Sequence, residues 1–153
     1  MTMLKSAGLT GQSDNKVDSK GRINIPAAFR KILVPDEYDE VVVTLGPNRQ
    51  LLLFNKEYWD TTIQQEIIDS SRIIGKENVW RAIHRVSENS HMSTADNQGR
   101  ITIPGWLLKK AGIENNVIVI GAFDRVSVWA PKEYKEWISE VDIDSVIADL
   151  GLF

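Results

Sequence analysis

The strongest constraint on this chain is a nine-residue phrase that occurs twice. Asp18-Ser-Lys-Gly-Arg-Ile-Asn-Ile-Pro26 returns as Asp96-Asn-Gln-Gly-Arg-Ile-Thr-Ile-Pro104, 78 residues later in a chain of 153. Asp, Gly, Arg, both Ile and Pro keep their offsets, six identities in nine positions. Chance rarely produces that, so the chain reads as a duplicated unit. A repeat decides the architecture before any single element does.

Local chemistry describes the unit. Asp-x-x-Gly favours a tight turn: the carboxylate accepts from backbone N–H groups just ahead, and Gly tolerates positive φ. Arg-Ile-x-Ile-Pro then reads as a short strand with its Ile side chains on one face. Pro cannot donate to a ladder but suits the first turn of a helix. Ala27–Leu33 and Gly105–Gly112 read as two-turn helices, with Gly112 as a stop. The motif turns are thus Asp18 with Gly21 and Asp96 with Gly99. For the Asp residues, capping of their own turns is the favoured reading. For Arg22 and Arg100 two readings stay open. One is an ion pair with the turn. The other is a guanidinium whose fork of donors meets phosphate oxygens or a guanine edge.

The remaining elements follow from pattern. Lys16–Val17 ends a strand expected to pair across the Asp18 turn. Pro35-Asp-Glu is a turn signal. Val41–Leu45 and Gln50–Phe54 read as a hairpin across Gly46-Pro-Asn, and Val117–Ile120 with Arg125–Trp129 repeats it. Their continuous apolar runs suit strands buried on both faces or closed in a barrel. Asn55 can cap a helix over 56–69 with Trp59, Ile63 and Ile67 on one face. Ser70-Ser71 breaks it, and Lys76–Val86 is a second helix with Val79, Ile83 and Val86 inward. Residues 55–90 therefore join the repeats as a helical hairpin. Pro131 opens a third helix carrying Tyr134, Trp137 and Ile138. Asp144–Leu150 is a short docked helix or a partner-binding tail. At these spacings Trp and Tyr read as core rather than as base-stacking surfaces.

Composition narrows the chemistry. There is no cysteine, which removes disulfides, thiol catalysis and cysteine metal sites. No signal peptide is apparent and no apolar run approaches a membrane span, so a cytoplasmic protein without membrane partners is expected. His84 and His91 are seven residues apart, and a metal site built from them with Asp96 is disfavoured against packed or solvated histidines. Phosphate-loop and nucleophile-elbow motifs are absent. No enzyme, metal, cofactor or small-molecule substrate is expected. The net charge of −3 argues against indiscriminate nucleic-acid binding. Its distribution qualifies that. Residues 14–31 carry five basic side chains (Lys16, Lys20, Arg22, Arg30, Lys31) against two acidic ones, whereas 131–153 carry two basic and six acidic.

On the paired Asp-x-x-x-Arg motifs the sequence resembles the MraZ family. Gly-Arg-Ile-x-Ile-Pro, Leu51–Phe54 before Glu57–Trp59, and Val119–Val126 before Val128-Trp129 extend the resemblance over about residues 10–140. One motif copy alone would indicate only the wider swapped-hairpin AbrB-like superfamily. The resemblance implies an α+β fold, a tandem-repeat double-split β-barrel with a helical hairpin between its halves. It also implies a DNA-binding transcriptional regulator of division and cell-wall genes, assembled into rings. The chain departs from the family pattern twice. Met1–Gln12 is longer than expected, and Arg30 has no basic counterpart in Gly105-Trp-Leu-Leu108.

Together these readings divide the chain into a first repeat (10–60), a helical connection (61–90), a second repeat (91–140) and an acidic tail (141–153). Double-stranded DNA, as tandem direct repeats, is the expected partner of a nucleoid-associated homo-oligomer. Lys16, Lys20, Arg30 and Lys31 would contact phosphates, and Arg22 and Arg100 a base edge or phosphates at the groove floor. The competing reading is a protein-interaction or antitoxin-like module acting through the acidic tail.

Overall fold

The structure, a computed structural model, describes residues 8–36 and 40–153. The first repeat comprises β1 (Leu9–Lys16), β2 (Arg22–Asn24), α1 (Ala27–Leu33) and the hairpin β3 (Glu40–Leu45) and β4 (Leu51–Asn55). The connection is α2 (Lys56–Tyr58), a π-helical turn (Trp59–Ile63), α3 (Gln64–Asp69), α4 (Ser71–Ile74) and α5 (Lys76–Glu88). The second repeat follows as β5 (Ser90–Thr94), β6 (Arg100–Thr102), α6 (Gly105–Lys110), β7 (Asn116–Phe123) and β8 (Val126–Trp129). Helices α7 (Pro131–Ile138) and α8 (Ile143–Asp149) end the chain.

The local rules place these elements. Pro26 and Pro104 stand immediately before α1 and α6. The Asn55 side chain accepts from the Tyr58 N–H at 3.0 Å and starts the connecting helix. That helix runs 56–69 without interruption, breaks at Ser70, and α5 begins after Gly75 at φ +85°. Gly112, at φ +67°, ends the turn after α6. The turn read at Pro35-Asp-Glu runs into residues 37–39, outside the described ones.

One expectation is overturned. β1 does not pair with β2 across the Asp18 turn; only a single Val17–Ile23 bridge crosses it. Instead β1 pairs along its whole length with β7, and β5 pairs with β3. Each repeat therefore lends its first strand to the other repeat's hairpin. The result is one antiparallel sheet ordered β1-β7-β8-β4-β3-β5 and a separate two-stranded ribbon, β2 with β6. A polar strand with a free edge gains a full ladder this way, and β7 and β3 each gain an outer neighbour. In the pairing described, β1 and β5 remain the two edges of the larger sheet.

The apolar runs are buried on both faces, as their composition implies. Val41, Val43, Leu51, Leu53, Val126 and Val128 face a core shared with Ile23, Ile25, Ile101 and Ile103 from the ribbon. Each of those four Ile is no more than 2% exposed, worth about 2–3 kcal/mol apiece by area. Val42, Leu52 and Phe54 face the other way, against Tyr58, Trp59, Ile63 and Val86 of the helical connection. Trp129 is covered by α7, stacked on Trp137 at 5.0 Å. The core reading of the aromatics fails for Trp80 and Trp106, which are 60% and 45% exposed. Helix α8 has no fully buried residue.

Candidate nucleic-acid interface

The ribbon brings the two copies of the motif together. β2 and β6 run antiparallel with Ile23 opposite Ile101, Arg22 opposite Thr102 and Asn24 opposite Arg100. Side chains alternate across a strand. With Ile23 and Ile101 inward, Arg22, Asn24, Arg100 and Thr102 share the outward face. The ladder continues into the turns: Ile103 donates to the Gly21 carbonyl at 2.8 Å, and Ile25 donates to the Gly99 carbonyl at 3.3 Å. Each turn is thus locked by the strand of the other repeat.

Both turns are built alike. Asp18 Oδ1 accepts from the N–H groups of Lys20 and Arg22, each at 2.9 Å, and Asp96 Oδ1 from those of Gln98 and Arg100 at the same distances. Asp18 Oδ2 takes Arg22 Nε at 2.6 Å, and Asp96 Oδ2 takes Arg100 Nε at 2.8 Å. The Arg22 amide, its guanidinium and the Lys20 amide hold the Asp18 carboxyl down at about 2 against the opposing effect of desolvation. Asp96 is lowered in the same sense, with the Arg100 amide foremost. Arg100 Nη1 also lies 4.0 Å from Asp18 Oδ2, so the two motifs form one cluster. The capping role assigned to Asp18 and Asp96 is present in both copies, and so is the ion pair. Each Arg side chain stays 27% exposed, with its Nε committed to the turn. The Nη groups are what an external ligand would meet.

The other basic residues distribute unexpectedly. Lys20 stands exposed at the tip of the first turn, and exposed Lys16 ends β1 just before it. Arg30 and Lys31 lie on α1 but line a groove with Ala95, Asp96, Asn97 and Gly99 of the second turn. A Cβ on Gly99 would sit 1.3 Å from Arg30 Nη1, so the guanidinium lies directly on that glycine. In space these two first-repeat cations serve the second motif. Among the described residues, no three His, Asp or Glu side chains converge on a metal site. His84 sits on α5 with Nδ1 2.7 Å from the Trp80 carbonyl, and His91 lies on β5. No described helix is long and apolar enough to cross a membrane.

The family model of the MraZ protein, described as antitoxin-like, matches residues 9–80 and 88–149. The chain belongs to the MraZ family. It is 33% identical over 144 residues to the transcriptional regulator MraZ of Salinispora arenicola, covering 93% of this chain and 95% of that one. The transcriptional regulators MraZ of Caldanaerobacter subterraneus subsp. tengcongensis and Roseiflexus sp. RS-1 are 32% and 30% identical over 135 residues, covering 88% of this chain and 90% of each. The two MraZ matches correspond to the two halves that exchange strands.

Two features of this MraZ chain were not singled out in the sequence. Asn24 and Thr102 sit two residues beyond each Arg, and period-2 alternation alone would have put them on the same face. The second feature is a buried cluster joining the halves. The Tyr58 hydroxyl donates to Asp124 Oδ2 at 2.9 Å, and Arg125 binds both oxygens of Asp124 at 2.8 and 3.0 Å. The Arg125 guanidinium lies 4.7 Å from the Phe54 ring centre. Burial and the bond to Asp124 push the Tyr58 phenol up to about 12. Burial raises Asp124, but the hydrogen bonds and charge of Arg125 outweigh it and leave the carboxyl below its usual range. Sequence offered no sign of this contact, because its partners lie 66 residues apart.

Proposed function

We propose that this chain is a sequence-specific transcriptional regulator that binds double-stranded DNA through the outward face of the β2–β6 ribbon. The observation that carries the reading is the placement of Arg22 and Arg100 on one face, with Lys20 at the tip of the first turn and Arg30 and Lys31 in the groove beside the second. Each Arg is oriented through Nε by its own Asp, so ordering it on DNA costs little side-chain entropy. Lys16, Lys20, Arg30 and Lys31 contact phosphates and set the register, and Arg22 and Arg100 reach a base edge or the groove floor. The fold proposed for the two repeats, 10–60 and 91–140, is a double-split barrel around the connection 61–90, with the tail 141–153 outside it; the exchanged first strands of the repeats support it. The targets are division and cell-wall genes, and the protein is cytoplasmic and nucleoid-associated, with no catalytic role.

Copies of the chain assemble head to tail into a ring. The apolar side chains in and just after α8 support this: Val146, Ile147 and Leu150 are 47%, 41% and 59% exposed. A ring presents the motif face repeatedly in one rotational sense, which suits tandem direct copies of a short site. Anisotropy titrations on duplexes with one, two and three direct copies test it. Affinity and salt slope are expected to climb steeply with copy number. Equal affinities, or a preference for inverted copies, would leave an ordinary two-fold dimer as the better account. The same exposed helix favours a second reading, a protein-interaction module acting through the acidic tail. That module would retain its partner but no duplex at moderate salt.

A further inference from the structure

The two turns have the same backbone but present different chemistry. Asp18 and Asp96 make identical pairs of bonds to the amides two and four residues on, so the two central residues of each turn are displayed in the same way. In the first turn these are Ser19 and Lys20, and in the second Asn97 and Gln98, all four exposed. The surroundings differ in step. The second turn is covered by the Arg30 guanidinium, which buries Gly99. The nearest side chain to Gly21 of the first turn is Leu108, whose Cδ1 would lie 3.6 Å from an added Cβ.

On the proposed DNA-binding reading, we infer that the turns divide the work: the second reads bases through Gln98, and the first anchors phosphate through Lys20. A side-chain amide offers one acceptor and two donors in a plane, the pattern that pairs with the N6 and N7 edge of adenine. An ammonium on a four-carbon stem offers donors only. It follows a phosphate as a point charge and carries no sequence information. A neutral tip needs its charge supplied from outside the turn, and Arg30 supplies it from the other repeat. Arg30 acts as a positioning residue. It rests on Gly99 and holds the turn against the duplex, while Asn97 and Gln98 stay free to face base edges. The first turn carries its own cation and needs no such brace. One chain therefore reads an asymmetric element, an anchoring half beside a specifying half.

Selection of the full-length protein and its variants from random duplexes, with titrations of the chosen site against salt, tests the assignment. Gln98→Ala is expected to lose discrimination at one adenine position by about 5- to 150-fold, with affinity for unrelated duplex unchanged. Lys20→Ala is expected to keep the selected sequence while weakening all duplexes alike and lowering the salt slope by about one per engaged subunit. Gln98→Lys should raise affinity for unrelated DNA and blur the selected sequence. Both positions are exposed, so equal melting temperatures across the set are expected. The assignment is overturned if Gln98→Ala leaves the selected sequence intact, or if Lys20→Ala is the variant that changes it. If the unmodified protein binds no duplex, the DNA-binding reading itself falls, an outcome distinct from either of these.

Discussion

Gly21 and Gly99 occupy matching positions, yet replacing each with Ala should have different consequences. Both have positive φ, +78° and +76°, where an L-residue costs about 1–2 kcal/mol. At Gly21 the new Cβ would lie 2.6 Å from the Ile103 carbonyl oxygen. That atom is backbone just past β6, and relief requires that backbone to retreat by about 0.8 Å or more to reach ordinary contact. The retreat stretches the 2.8 Å bond from Ile103 to the Gly21 carbonyl, worth about 1 kcal/mol. Gly21→Ala should therefore cost about 2–4 kcal/mol. At Gly99 the three nearest atoms all belong to the Arg30 side chain, which can swing into solvent. Gly99→Ala should cost the backbone strain alone, about 1–2 kcal/mol. For a chain of this size each kcal/mol lowers Tm by about 2–4 °C. Calorimetry should thus place Gly21→Ala clearly below Gly99→Ala, with falls of about 5–15 °C against about 2–8 °C. DNA binding should rank the other way once stability is corrected for, because only Gly99→Ala displaces Arg30. Equal melting temperatures, or a larger loss at Gly99, would refute the strand-locked turn.

Three further outcomes are expected. Tyr58→Phe removes a donor from a buried carboxylate and should cost about 1.5–3 kcal/mol in urea unfolding. Because folding raises the Tyr58 phenol from 10 to about 12, its contribution is complete below pH 10 and lost as pH climbs toward 12; wild type and Tyr58→Phe should therefore converge in stability across that interval. Asp18 runs in the opposite sense: lowered from 3.8 to about 2, it stabilises the turn above pH 4, and that stabilisation disappears as pH falls through about 2, so an Asp18→Asn variant should show a shallower acid limb. Val146→Asp with Leu150→Asp, at two half-exposed positions in and just after α8, should leave the secondary structure read by circular dichroism unchanged while light scattering reports dissociation of the assembly; an unchanged mass would remove α8 from the subunit contact.

Much of the secondary structure is decided within a few residues of each position and so is legible in the sequence. Asp18 and Asp96 bond to amides two and four residues ahead, Asn55 caps the helix that starts beside it, and Gly75 and Gly112 bend where positive φ is needed. The alternation of Ile23, Ile25, Ile101 and Ile103 likewise announces which face of the ribbon is buried. None of those forces says which strand lies beside which. β1 has almost no apolar pattern, so nothing local distinguishes pairing across its own turn from pairing with β7; the outcome depends on which open edge the tertiary fold brings within reach. The same holds for the site. The motif Arg residues could be named from their neighbours in sequence, but their shared face exists only because β2 pairs with β6. Arg30 looked like a companion of Arg22, eight residues away, and tertiary structure laid it on Gly99 instead. Local hydrogen bonds and side-chain alternation act over a few residues and are written in order along the chain. Strand exchange and charge placement are long-range, and the fold alone chooses them.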